Sequence, residues 1–238
     1  MSSADAAVTI RNLTKDYRGL RPLRLASLDL AEGQTLALLG FDQAMAEVLV
    51  RLIMGASLPD TGEVIVFGRS TAAIEDGDAW LKGLEQFALL SDRALLVEQM
   101  TVEQTIAMPI SFVVDEPTGE VRRTVQRLAE EVGLDPAVLG QPVGALPPPI
   151  LARIRLARAL APEPRLLLAE HPTASLSAGE TPAFAADVSR VVRRRGLTTL
   201  AMTADRSFAL AIAREVLTLQ PATGALTGSG GWRRWLHR

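Results

Sequence analysis

Residues 145–177 read ALPPPILARIRLARALAPEPRLLLAEHPTASLS, and this stretch decides the fold. Its first part predicts a helix over 150–160, which ends where the two prolines of APEP interrupt the helical pattern. The apolar run LLLA at 166–169 then predicts a buried parallel strand. Ligands bind beyond the carboxyl ends of strands in open α/β sheets, so Glu170 and His171 mark the first place to look for chemistry.

Apolar periodicity elsewhere predicts the remaining elements of an α/β domain. The predicted strands cover 7–13, 23–30, 35–39, 64–67, 197–202 and 216–219, with a turn at Thr61 and Gly62 before the fourth. The predicted helices cover 44–54, 120–132, 183–195 and 208–214. Strands alternating with helices favour a mostly parallel sheet covered on both faces.

The order of these features resembles the nucleotide-binding domain of ABC transporters. In that family a signature loop LSGGQ opens a helix containing R-x-x-x-A-R-A-L, and a strand, Asp-Glu-Pro-Thr and SALD follow. Here residues 153–160 read RIRLARAL and residues 172–176 read PTASL. The resemblance covers roughly 8–227 and implies an α/β, P-loop NTPase-like (RecA-like) core with an antiparallel β subdomain and an inserted α-helical subdomain.

The resemblance also implies a domain organisation. Residues 1–228 would form a single ABC-type ATP-binding domain, with its core at about 7–85 and 160–227 and its helical subdomain at about 86–159. A tail rich in Trp and Arg occupies 229–238. Within the helical segment, MTVEQTIAMP at 100–109 is similar to the lipoprotein-release, macrolide-export and cell-division members of the family.

The phosphate-binding loop departs from the family pattern. A working loop reads G-x-x-x-x-G-K-[ST], because backbone amides wrap the phosphates, the Lys reaches them and the hydroxyl holds magnesium. Residues 40–47 read GFDQAMAE, so only Gly40 remains, Ala46 replaces the ammonium and Glu47 replaces the hydroxyl. The start of the following helix favours an anion. Either Asp42 or Glu47 folds over its amides in place of a phosphate, or the helix has an ordinary cap.

The positions of the catalytic groups are also changed. By the resemblance, the metal-organising Asp has become Glu170, the catalytic Glu has become His171 and the switch His has become Ala204. The loop Gln falls near Ser91 or Asp92, and neither residue is Gln. We therefore expect no catalytic residue in this chain.

The signature position carries Pro147, Pro148 and Pro149. Family members bind the γ-phosphate of a partner subunit through amides at this loop, and proline has no N–H to donate. Proline does suit the first position of a helix. The chain is therefore expected to complete neither its own composite site nor a partner's.

The resemblance implies a vestigial nucleotide site rather than a working one. Tyr17, the only tyrosine, stands where the family stacks an aromatic ring on adenine, although a packed surface role explains it equally well. The residues of this vestigial site are Tyr17, Gly40, Asp42, Ala46, Glu47, Asp92 and Glu170.

Composition excludes several functional classes. A net charge of −2, from 25 basic and 27 acidic residues, argues against a nucleic-acid surface. With no cysteine and only two histidines, neither disulfides nor a thiolate metal site is expected. No apolar run is long enough to cross a bilayer, and no signal peptide is recognisable. The WRRWLHR tail leaves open either an amphipathic anchor or a packed terminus.

These observations predict an ABC transporter subunit with degenerate nucleotide sites. As a pseudo-ATPase it would act as a structural or regulatory component of a membrane transport complex, with no bound cofactor. A membrane permease is the expected partner, docking on the groove lined by 87–112, together with an active ABC ATPase or a second copy. Such a subunit lies peripherally at the cytoplasmic face of the inner or plasma membrane. The alternative is a functional ATPase with an aberrant active site, which binds ATP and magnesium.

Overall fold

The computed structural model describes residues 6–74, 76–111, 113, 115 and 117–228 of the chain. The Trp/Arg tail at 229–238 and Phe112, the last residue of the expected docking segment, lie outside the described residues.

Ten strands form two sheets within the described residues. The strands are β1 (Ala6–Lys15), β2 (Leu23–Ala31), β3 (Thr35–Leu39), β4 (Thr61–Val66), β5 (Arg69–Ser70), β6 (Phe87–Ser91), β7 (Leu166–Glu170), β8 (Thr198–Met202), β9 (Glu215–Gln220) and β10 (Ala225–Gly228). The smaller sheet is antiparallel, with strand order β2-β1-β4-β5. The larger sheet has strand order β10-β9-β3-β8-β7-β6, and only β10 runs antiparallel to its neighbour.

Seven α-helices surround and connect the sheets in the described part of the chain. They are α1 (Gln43–Ile53), α2 (Gly77–Leu84), α3 (Val102–Ala107), α4 (Gly119–Glu131), α5 (Pro148–Leu160), α6 (Thr181–Arg195) and α7 (Arg206–Ile212). The stripe predicted for α4 faces inward, since Val125, Leu128 and Val132 are buried and Val121 is partly buried. None of the helices in the described ranges combines the length and apolar character required to cross a membrane.

The alternation of side chains along the parallel strands divides the interior into two cores. On β3, Leu36 and Leu38 face α1 and the antiparallel sheet, whereas Ala37 and Leu39 face the opposite core that includes α5, α6 and α7. Strand β7 is buried along its whole length and lies between β6 and β8. This confirms the strand predicted at 166–169 and the α/β fold.

Two sequence-based boundaries differ from the structure. Residues 87–91 form β6, which pairs with β7 in the parallel sheet, so they belong to the core and not to the helical segment expected to begin at about 86. Thr61 and Gly62 lie within β4, where Gly62 has a φ of 85° and approaches the backbone of Asn12 too closely for a side chain. Neither pairing partner is near in sequence, which explains why a local pattern missed both.

Candidate functional site

The loop between β3 and α1 contains only Gly40, Phe41 and Asp42. Asp42 is the N-cap of α1, and its Oδ1 accepts a hydrogen bond from the Met45 amide at 2.8 Å. The helix therefore begins at Gln43, one residue before the predicted start at 44, and residues 43–45 form its first turn. The ordinary cap is observed, with Asp42 rather than Glu47 over the amides.

Ala46, at the position of the family's Lys, is completely buried. Its methyl group belongs to the core between α1 and the two sheets, together with Leu49 and Phe41. No ammonium extends from this position, so it supplies no positive charge for a phosphate.

Glu170, at the carboxyl end of β7, is only 4% exposed. Its Oε1 accepts a hydrogen bond from the side chain of Gln43, the first residue of α1. Burial raises the pKa of Glu170 above its ordinary value, and the charge of Glu47 raises it further, whereas Arg93 and the Gln43 bond oppose this shift. The end of β7 is thus tied directly to the start of α1.

Glu47 turns away from the amides of α1. One carboxylate oxygen lies 3.1 Å from Nη1 of Arg93, and the other lies 3.8 Å from Nη1 of Arg51. The position at which the family holds magnesium through a hydroxyl is therefore occupied by a carboxylate that pairs with guanidinium groups.

Asp92, at the position of the loop Gln, links three elements. Its Oδ1 accepts hydrogen bonds from Nη1 of Arg155 on α5 at 3.3 Å and from Oγ of Ser175 at 2.5 Å. Arg155 also donates to the Ala94 carbonyl, and Arg158 donates to the Leu95 carbonyl at 2.7 Å. Two arginines of α5 therefore hold the segment that follows β6. The sequence contained no signal for these partners.

His171 does not continue the strand, because its φ of 41° lies in the left-handed region. Its amide donates to the Met202 carbonyl, and its Nε2 is buried without a hydrogen-bond partner among the described residues. Strand β7 ends at Glu170, so His171 is not part of the strand. Nothing around His171 in the described chain forms a metal cluster.

Asp205 and the exposed Ala204 follow β8. Asp205 caps α7 through the Phe208 amide and accepts a hydrogen bond from Thr173 at 3.2 Å. Burial by itself would raise the pKa of Asp205, but hydrogen bonds from Ser207, Phe208 and Thr173 lower it overall. Asp205 therefore has a structural task that does not depend on a nucleotide.

Pro147 and Pro148 are exposed at the start of α5, and Pro149 is partly buried. Pro147 is the N-cap, with φ −74° and ψ 159°, and Pro148 is the first helical residue. No side chain caps this end of the helix. Because proline has neither an N–H nor a hydroxyl, residues 147–149 provide no hydrogen-bond donors.

Tyr17 is half-buried against the core between α1 and the two sheets. Partial burial raises the pKa of its hydroxyl, and the negative charge of Asp42 adds to the shift. Its ring lies within 2.5 Å of where a side chain on Gly19 would begin, so glycine is needed for this packing. The ring is thus packed against the protein, as in the interpretation of Tyr17 as a packed surface residue.

A triphosphate with magnesium does not fit these residues as they stand. The anion position at the α1 amides holds the Asp42 carboxylate, and Gln43 bonds to the Glu170 side chain that would organise the metal. Position 46 offers a buried methyl group in place of a cation. No step of ATP hydrolysis can be assigned to this set of groups.

A sequence profile of the family described as "ABC transporter" matches residues 23–174, which is more than half of the chain. The chain belongs to the ABC transporter family. The match spans β2, the loop between β3 and α1, β6, α5 and β7.

Curated ABC relatives align with most of this chain. The methionine import ATP-binding protein of Caulobacter vibrioides is 31% identical over 199 residues, which cover 82% of this chain and 59% of the relative. The sulfate/thiosulfate import ATP-binding protein of Thermosynechococcus vestitus is 29% identical over 217 residues, covering 89% of this chain and 61% of the relative. The alignments with this ABC chain thus extend over about three fifths of each relative's length.

Solved ABC structures share the fold. A dimeric bacterial ABC transporter cassette superposes with a TM-score of 0.75 at 20% identity, covering 92% of this chain and 96% of the cassette. A component of an ABC transporter complex from Clostridium perfringens superposes with a TM-score of 0.76 at 19% identity, covering 94% and 87%. These matches confirm the predicted ABC architecture.

Proposed function

We propose that this chain is an ABC-domain subunit that neither binds nor hydrolyses ATP and serves as a structural or regulatory component of a membrane transport complex. The observation that carries the proposal is the set of internal bonds at the start of α1. The side chain of Asp42 accepts a hydrogen bond from the Met45 amide, and the side chain of Gln43 donates one to the Glu170 carboxylate. Residues at positions that bind a nucleotide in the family are here hydrogen-bonded to each other.

The charge of the site supports the same proposal. Asp42, Glu47 and Glu170 place three carboxylates around the position of the phosphates, and the Lys is replaced by buried Ala46. Like charges disfavour a triphosphate, even though Arg93 partly compensates Glu47. Restoring one group would therefore be insufficient to restore full affinity.

The test is a titration of the purified chain with a fluorescent ATP analogue in the presence of magnesium. We expect no saturable binding and no phosphate release. The matched variant combines Met45→Gly, Ala46→Lys and Glu47→Thr, which restores the loop pattern, and it should bind more tightly than the unaltered chain. Micromolar binding or phosphate release by the unaltered chain would overturn the proposal in favour of an aberrant ATPase.

The proposed partner is a membrane permease, which places the chain peripherally at the cytoplasmic face of the membrane. The names of its relatives suggest an import system. Support comes from the expected docking segment, in which large apolar side chains are exposed at four described positions, Leu89, Leu95, Val97 and Met108. Leu95, 87% exposed, lies on the backbone segment that Arg155 and Arg158 hold. Exposed apolar clusters of this kind mark protein interaction sites.

This docking proposal is tested with tagged protein and detergent-solubilised membranes of the source cells. We expect a polytopic membrane protein to co-purify with the unaltered chain and to be lost with Leu95→Asp. Leu20→Asp is the control, because Leu20 is also fully exposed but lies on the β1–β2 turn. Equal retention by the unaltered chain and Leu95→Asp would contradict docking at this segment.

A further inference from the structure

A cavity of about 200 Å³ opens at the end of α1 that is remote from Asp42. It lies against Ile53 and Met54, at the last turn of α1, and against Phe87, the first residue of β6. An α-helix of this length separates its ends by about 16 Å. The cavity is therefore distinct from the altered nucleotide site.

Aromatic rings form much of the cavity wall. Phe67, Trp80 and Phe87 all line it and are all half-buried. The indole N–H of Trp80 donates to the Met54 carbonyl at 2.9 Å, which fixes the orientation of the ring. Rigid aromatic walls of this kind favour a flat apolar ligand.

Phe67 occupies a position that its side chain does not favour. Val66 pairs with Arg69, so Phe67 and Gly68 form a two-residue turn, with φ values of 47° and 78°. Such turns prefer Asn or Asp at the first position, because a bulky residue is strained at positive φ. Phe67 therefore adds an aromatic ring to the cavity wall although its backbone is strained.

The rim of the cavity is cationic. The guanidinium of Arg165 lies 3.8 Å from the centre of the Phe67 ring, and Arg165 and the exposed Arg69 both line the opening. Arg165 pairs with Glu32 at 3.1 Å, whereas no ion pair within the described ranges involves Arg69. The opening thus carries a positive charge that its own carboxylates do not fully balance.

Thr71 supplies a further polar group. It lines the cavity and is 6% exposed, and its Oγ1 is buried without a hydrogen-bond partner in the described part of the chain. Buried hydroxyl groups are normally satisfied, so an unpartnered one indicates a bond that a bound molecule can complete.

We propose that this cavity binds a small aromatic carboxylate, with the ring between Phe67 and Trp80 and the acid group at Arg69 and Arg165. The cavity is smaller than the roughly 300–1,000 Å³ of sites for drug-sized ligands, which limits the ligand to a single ring system with a short acidic side chain. The Trp/Arg tail of this chain does not match the site, because its arginines carry the same charge as the rim.

The test uses the chain with Trp232→Phe and Trp235→Phe, so that Trp80 is the only tryptophan. Phenylacetate is titrated while Trp80 emission and the heat of binding are followed, and neutral phenylacetamide serves as the matched ligand. We expect saturable binding of phenylacetate in the submillimolar range and at least tenfold weaker binding of phenylacetamide. No saturable signal, or equal binding of the two compounds, overturns the proposal.

Three substitutions in that background locate the site. Arg165→Gln should weaken phenylacetate binding about tenfold, and Phe67→Asn should weaken it similarly while fitting the turn geometry. Arg24→Gln is the control on a distant exposed arginine and should leave the affinity unchanged. Equal weakening by Arg24→Gln and Arg165→Gln would show that the acid is attracted non-specifically, which overturns the assignment. This result is independent of whether the chain binds ATP.

Discussion

At the residue scale, Asp42 performs inside the chain the task that a phosphate performs at many helix N-termini. Its carboxylate accepts from an amide of the first turn and faces the positive end of the helix dipole. Glu170 is a second residue that bonds within the site. It is buried, and it accepts a hydrogen bond from Gln43, which is 127 positions away in sequence. Both side chains thus have hydrogen-bond partners within the chain.

Removing the cap tests the first of these residues. Asp42→Ala should lower the free energy of unfolding by about 1 kcal/mol, the usual cost of losing an N-cap. Asp42→Ser retains an acceptor and should recover most of the loss. Urea denaturation followed by circular dichroism measures both. Equal stability of the unaltered chain and Asp42→Ala would show that the bond to Met45 contributes nothing.

The raised pKa of Glu170 has a consequence for stability as a function of pH. Because the folded state holds this proton more tightly than the unfolded state, the group's contribution favours folding at low pH and is lost as pH rises through the folded pKa. Glu170→Gln keeps the side-chain shape and removes the charge, so it should stabilise the protein at about pH 7 by on the order of 1 kcal/mol.

The difference between Glu170→Gln and the unaltered chain should shrink as pH falls towards the ordinary pKa of Glu, about 4.3. Denaturant unfolding at several pH values measures this, and comparing the two proteins at each pH cancels the other titrating groups. A difference that grows on acidification would contradict the raised pKa.

At the scale of elements, α5 connects the altered site to the proposed docking segment. Arg155 and Arg158 bind the carbonyls of Ala94 and Leu95, and Arg155 also pairs with Asp92. The side chains of Arg155 and Asp92 are only 15% and 19% exposed, so this pair is less screened than a surface ion pair. Helix α5 is therefore one of the elements that hold the segment after β6 in place.

Loosening this contact should be visible as local opening. Arg155→Gln removes the charge, and we expect faster amide hydrogen exchange over 92–97 by about tenfold, because the freed segment opens more often. Arg122→Gln is the matched control, since Arg122 forms an exposed pair with Glu103 on other helices. Mass spectrometry of exchanged peptides gives the result, and identical exchange in the two variants would contradict the holding role.

At the scale of the whole molecule, the ABC framework stands on its two cores. The buried strands β3, β7 and β8 separate the cores, and the apolar faces of the helices fill them. The hydrogen bond between Gln43 and Glu170 joins α1 to β7 within this framework. Stability of the fold is thus expected to be independent of ATP.

Thermal unfolding with and without ATP and magnesium checks this expectation. A protein in the presence of ligand at about one hundred times its dissociation constant gains about 2.7 kcal/mol of stability. This chain should show no change of its unfolding midpoint at millimolar ATP. A rise in the midpoint that depends on ATP concentration would contradict both the independence and the proposed loss of nucleotide binding.

Much of the architecture was predictable because its signals are local. The LLLA run became the buried β7, and the repeat of apolar residues over 120–132 became α4. The structural features that the sequence did not predict depend on residues that are distant in the chain. Strand β6 is only five residues long and is defined by pairing with β7, about eighty positions away, and Gly62 is required by the backbone of Asn12.

The amino-acid sequence by itself predicted the ABC framework and the replacement of the family's nucleotide-binding side chains, because both follow from residue types and their spacing. Only the tertiary structure decided what the replacements do. It brought Gln43 to Glu170, Arg93 to Glu47 and Arg155 to Asp92. The reason is physical: helix and strand patterns arise from neighbours in the chain, whereas burial and pairing of charges depend on how distant elements pack.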